Sequence, residues 1–284
     1  MHLKFKNKRI SGILSVLPSN EIHFVDEISN YNFSEKQSVK LGKIMGYGTR
    51  RIVNSDTCVS DLCTYGLNYL FDNNLLEKDS FQALVLCTQS PDQFIPSTSS
   101  IIAGNLKLDE DVICMDINQG CAGFEVGLMQ AFMLLDTGSI NKVILLNADI
   151  LSKKVSIKDR NSRPLVGDGA SITIIENCKN DEIIDLFIKM DGSGALSLQI
   201  PAGGFKLPSS EETSVLEEDS AGNSRSLNDL VMKGDEVFNF VQTKVPELLN
   251  EMFNKLNLDK DFFDYYFFHQ PNKFMLEKLA EKLD

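Results

Sequence analysis

"DVICMDINQGCAGFEVGLMQAFMLLDTG", residues 111–138, is the stretch whose reading decides the fold. It opens on a short strand-type apolar run, turns through a Gly-containing segment, and continues as an apolar stretch with helical spacing. Phe124, Leu128, Ala131 and Leu135 share one helical face, and Gly138 is placed to stop the helix. A strand that feeds a helix through a tight turn is the building unit of layered α/β proteins. The pattern recurs along the chain. Runs 81–88, 142–149, 170–176 and 263–269 read as strands, and several are continuously apolar, which suits strands covered on both faces. Residues 56–71 carry Val59, Leu62, Cys63, Leu67 and Leu70 at helical spacing, and 237–252 make a second apolar face.

The bulk numbers bound the function. The 284 residues are 43% hydrophobic and 24% charged, enough for a sizeable core. A net charge of -12 with no Lys/Arg block argues against nucleic acid as a partner. No apolar run is long enough to span a membrane, and the start lacks a signal-peptide core and cleavage site. The six cysteines include no C-x-x-C pair and no zinc spacing, so no metal and no cofactor are expected. A cytoplasmic protein with reduced thiols is the simplest reading. The polar, acidic segment 209–226 reads as an exposed excursion.

In the opening stretch Cys121 falls at the first turn of the helix. Unsatisfied N–H groups and the helix dipole there favour the thiolate, which is the nucleophile. The same amides suit the oxyanion of an acyl intermediate. Gly120, Ala122 and Gly123 leave room for a substrate. The competing reading is a thiol that packs under the turn, and spacing leaves both open. A nucleophilic thiol needs a group to hold or move a proton. His2 and His23 lie outside the strand–helix pattern. His269 ends a strand-type run and opens "HQPNKFMLEKL", with Pro271 at an early helical position. It therefore sits at a second strand-to-helix switch, where α/β sheets place their chemistry. A half-buried His closing the strand is the alternative.

These residues carry a resemblance. "DINQGCAGF" (116–124) is similar to the nucleophile motif of the β-ketoacyl-acyl carrier protein synthase III family, among the thiolase-like condensing enzymes. "GDGASITII" (167–175), "MKGDEVFNFV" (232–241) and "HQPN" (269–272) resemble that family's Gly-Asp-Gly-Ala, Met-x-Gly-x-x-Val-Phe and His-Gln-x-Asn motifs, in family order. The resemblance implies a thiolase-like, five-layered αβαβα fold of two similar halves, here 1–178 with the nucleophile Cys and 179–284 with the catalytic His. It implies a homodimer that takes an acyl group from an acyl thioester onto Cys121. The acyl-enzyme then condenses with malonyl-acyl carrier protein, with His269 at the thioester oxygen. Asn272, Gly120 and Gly123 would support the site. In "SPDQFIPSTSS" (90–100), Phe94 and Ile95 would close the partner's acyl pocket.

The family's catalytic Asn would lie beyond Asp284, so the C-terminal half is expected to be incomplete and the chain a fragment. With no Trp, and with Ile44 and Gly48 where Arg would be expected, coenzyme A is expected to be held weakly. Asn239 stands where a basic residue would help dock carrier protein, leaving Lys273 and Lys278 as substitutes. Competing functions are an acyltransferase of the same fold without condensation, a weakly active partner subunit, a papain-type protease and a non-enzymatic binding protein. The protease is disfavoured by the layered strands around Cys121 and the absence of Trp.

Overall fold

The computed structural model describes residues 1–179 and 182–283. Strands β1 (His2–Lys6), β2 (Lys8–Val16) and β3 (Asn20–His23) lead into helices α1 (Phe24–Glu27) and α2 (Glu35–Met45). Then follow β4 (Thr49–Ile52), α3 (Val59–Asp72), β5 (Ala83–Cys87), α4 (Thr98–Leu106), β6 (Ile113–Ile117) and α5 (Gly123–Leu135). The chain continues with β7 (Lys142–Asp149), β8 (Gly169–Asn177), β9 (Ile183–Phe187), α6 (Gly234–Leu256) and α7 (Lys273–Leu283).

The main sheet runs β2-β8-β7-β5-β6, with β6 and β7 parallel to β5 and the rest antiparallel. Its two faces are both covered, which is why β5 and β7 are apolar runs without alternation. On one face Leu84, Leu86, Ile144 and Leu146 meet Leu67 of α3 and Ile102 of α4. On the other, Val85, Val143 and Leu145 meet Ala131, Phe132 and Leu135 of α5. Phe5 of β1 joins that second cluster, and Ile184 and Leu186 of β9 pack on it. Since β1 and β9 pair antiparallel, α5 is held between the main sheet and this second sheet. That placement explains a helix with scarcely a polar side. Gly127 makes it possible: a Cβ there would lie 2.5 Å from Leu145 Cδ1 and 3.1 Å from Cys87 Sγ. The layers are those of a thiolase-like fold.

One expected element is absent. Residues 263–269 form no strand. Among the described residues no strand pairs with them, and an extended backbone without a ladder does not become a sheet strand. Phe267 is 90% exposed, while Phe263, Tyr266 and Phe268 pack on one another with centroids 5.8 and 6.2 Å apart. Within 209–226, which is largely exposed, the regular features are a 3-10 turn at Glu212–Ser214 and a short pair, Glu217–Glu218 with Ser224–Arg225. No described helix is long and apolar enough to cross a membrane.

Candidate active site

The site grows out of the turn between β6 and α5. Gln119 N–H donates to Ile117 O (3.1 Å) and Gly123 N–H to Gly120 O (2.7 Å), closing a tight turn. At Gly120 a Cβ would lie 2.4 Å from Gln89 Oε1, so a side chain there would displace the exposed Gln89 amide. At Gly123 a Cβ would meet only ordinary contacts, such as Asn147 Nδ2 at 3.5 Å. Cys121 lies just outside α5 and not in its first turn as expected, because the 120–123 turn closes before helical geometry begins; Ala122 is the N-cap. No side chain caps α5; Gly123 N–H is taken by Gly120 O, and the N–H groups that follow it in the first turn are the ones left to face a ligand beside the thiol.

His269 lies in the irregular segment before α7. Asn272 starts that helix, its Oδ1 accepting from Met275 N–H at 2.8 Å. The segment brings His269 from the far end of the chain to Cys121. The His269 side chain beside it holds the Cys121 thiol below the usual range, against burial and the charge of Asp149. Cys121 in turn raises the His269 imidazole, with Glu125 adding to the effect. Both directions favour a thiolate–imidazolium pair. Burial pushes Cys63 up to about 12 and Cys87 up to about 11. Cys58 and Cys114 are raised too, by burial first. Of these five thiols only Cys121 is shifted toward the thiolate.

Cys121 and His269 open onto a cleft of about 710 Å³. An apolar cleft of about 330 Å³ behind them shares Cys121, His269 and Pro271. A third, of about 550 Å³, carries Gly46, Arg50 and Lys273 and joins the first through Leu165, Gln270 and Pro271. A thioester on a long arm could approach the thiol along that line. Among the described residues no three potential ligands gather to hold a metal.

A thiolate-forming Cys at an open helix N-terminus, paired with a His across a layered α/β fold, has close parallels. The family model for 3-oxoacyl-[acyl-carrier-protein (ACP)] synthase III matches residues 115–192. A putative 3-oxoacyl-[acyl-carrier-protein] synthase 3 of Campylobacter jejuni is 32% identical over all of this chain and 80% of its own length. A crystal structure of a 3-oxoacyl-(acyl-carrier protein) synthase from Burkholderia xenovorans superposes with a TM-score of 0.89 at 31% identity, covering all of this chain and 79% of that one. The chain belongs to the 3-oxoacyl-[acyl-carrier-protein] synthase III family.

As a member of that family it is a condensing enzyme of transferase type. This synthase III chain keeps its remaining expected residues in distinct places. Phe94 and Ile95 are 66% and 82% exposed, and neither lines the Cys121 cleft. Asp168 is buried and structural: it accepts from Val53 N–H (2.8 Å), Ser152 N–H (3.0 Å) and Ser152 O–H (2.5 Å). Sequence reading missed the polar side of the cleft, namely Gln89, Asn118, Asn147, Asp149 and Ser171. Asp149 accepts from Gln89 N–H, Thr88 O–H and Ser90 O–H, and its burial raises its pKa. The available signal was a polar pair, Asn147 and Asp149, closing an otherwise apolar strand at its C-terminal end.

Proposed function

We propose that the protein forms a β-ketoacyl carrier-protein thioester by decarboxylating condensation, with Cys121 as nucleophile and His269 as its partner. The observation that carries this is the meeting of Cys121 and His269 on one cleft beside the N-terminus of α5, with the thiol pKa lowered and the imidazole pKa raised. The Cys121 thiolate attacks the carbonyl carbon of an acyl thioester. N–H groups at the start of α5 stabilise the tetrahedral oxyanion. The carbon–sulfur bond to the donor breaks, and the donor thiol leaves with the proton held by His269. Malonyl-acyl carrier protein then loses carbon dioxide, and His269 donates a hydrogen bond to the enolate oxygen as it forms. The enolate carbon attacks the acyl group and expels Cys121 as thiolate. Gly120 keeps the approach clear and Asn272 anchors the His269 segment. Transfer of the acyl group to an alcohol or amine would use the same pair, but the synthase relatives do not favour it.

The reading extends to assembly. The two halves are 1–178, with the thiol, and 179–284, with the imidazole. Two copies pair so that Phe94 and Ile95 of one cover the acyl cleft of the other; their exposure and their distance from their own cleft support this. Work in the cytoplasm accords with six free cysteines.

Mass-shift labelling with an acyl thioester tests the chemistry. Cys121→Ser should abolish labelling. His269→Ala should keep measurable labelling yet lose malonyl decarboxylation about a hundredfold, as for loss of an oxyanion donor. Equal loss of both steps would make His269 a general base only and defeat the condensing assignment.

A further inference from the structure

Asn147 and Ser171 face each other in register where β7 pairs with β8. Along β7, Leu146 and Ala148 point into the α3–α4 core, while Val143 and Leu145 point toward α5. Asn147 shares the α5 face and lines the 710 Å³ cleft beside Cys121 and Ser171. It is a central-strand position, where an apolar side chain would pack at no polar cost. Its Oδ1 is instead closed off from solvent with no hydrogen-bond partner. A buried amide oxygen left so is costly, and in a native structure it calls for an explanation. The amide is also close to the chemistry: Asn147 Nδ2 is 3.5 Å from the position a Cβ of Gly123 would take, two residues from the thiol.

We propose that Asn147, with Ser171, selects an acyl group that carries a hydroxyl within the first few carbons of its thioester carbonyl. A hydroxyl both donates and accepts, so it satisfies the amide oxygen on one side and the Ser171 hydroxyl on the other. The terminal amide torsion is broad and lets Oδ1 turn toward the cleft. A plain alkyl chain would dehydrate both groups and pair neither. Sites built to bond a hydroxyl reject the analogue lacking it far more strongly than apolar pockets reject an added one. This inference rests on Cys121 being the acyl acceptor.

The test is the rate of Cys121 acylation, followed by intact mass, from 3-hydroxybutyryl and butyryl N-acetylcysteamine thioesters. The protein as it stands should prefer the hydroxyacyl donor about tenfold or more. Asn147→Leu, of similar volume, should erase or invert that ratio while still accepting the butyryl donor; Ser171→Ala should reduce it independently. A thermal melt of each variant shows that it is folded. Equal or faster transfer from the butyryl donor in the unaltered protein, or an unchanged ratio in Asn147→Leu, overturns the inference and leaves the acyl-transfer reading intact. No acylation from either donor, with Cys121 still alkylated by iodoacetamide, overturns both.

Discussion

Cys121 gains its reactivity from two neighbours that sequence alone places far apart. The open N–H groups of α5 come from the next few residues, whereas His269 comes from 148 positions away and arrives only through the fold. The local half was legible in "QGCAG", because small residues before an apolar helix mark an uncapped start. The distant half was legible only as a histidine at a second switch point. Asn147 was legible only as half of a polar pair with Asp149 closing an apolar strand, a pattern that looks like any exit into a loop. The pairing has a pH signature. The His269 side chain lowers the thiol pKa, so the thiolate should persist below the ordinary thiol value of about 8.5. Alkylation of Cys121 by iodoacetamide should therefore reach half its plateau rate below that pH. Removing the partner in His269→Ala takes away the largest lowering contribution and leaves burial, which raises the pKa. The midpoint should then move up. A midpoint that stays put would show that the helix terminus alone sets the thiol.

At the scale of elements, apolar runs announced β5 and β7 because both faces of the sheet are covered there, and burial, not alternation, wrote the pattern. The run 263–269 shows the limit of the same argument. It is strongly aromatic, yet a strand exists only where another backbone completes its ladder, and composition says nothing about that partner. What fixes His269 is instead the helix that follows. Asn272 caps α7 through Met275 N–H, and Lys282 Nζ ties the last turn to Gln242 O at 2.6 Å. Loss of an N-cap costs about 1 kcal/mol. Asn272→Ala should lower stability by about that amount in urea and should loosen His269 enough to slow decarboxylation. Asn272→Asp keeps a capping oxygen and should restore both. If Asp restores stability but not decarboxylation, Asn272 acts on substrate and not through the cap.

Across the whole molecule, the question is which thioester can reach the cleft. The chain's net charge of -12 disfavours a free polyanion unless local cations offset it. Near the 550 Å³ cleft those cations are already engaged. Arg50 pairs with Glu27 at 2.6 Å and donates to Val166 O at 3.0 Å, while the second carboxylate oxygen of Glu27 is held by Arg163 at 3.0 Å. Arg51 donates to Ser19 O at 3.0 Å. Gly48 lines the same cleft without a side chain, the sequence has no Trp to stack on adenine, and the lining's Tyr47 is already packed on Phe24 with centroids 5.1 Å apart. Lys273 lines the cleft too, with Glu277 only 3.6 Å away. Stacking on an aromatic is worth about 1–3 kcal/mol and each charge-assisted phosphate contact about 1.5–3. Lacking several of these, coenzyme A should bind two or more orders of magnitude more weakly than a site that has them. A carrier protein needs only its arm in the cleft, and its body can compete at the surface for Lys273 and Lys278 of α7, whose partners Glu277 and Glu281 hold them only in exposed pairs. With the same acyl group on both donors, acylation of Cys121 should therefore be faster from the carrier protein, and Lys273→Glu should slow that donor more than a small N-acetylcysteamine thioester. The carrier advantage should also shrink as salt rises, because it depends on surface charges. Faster transfer from the coenzyme A donor would mean that the nucleotide is held by groups other than the cations around this cleft.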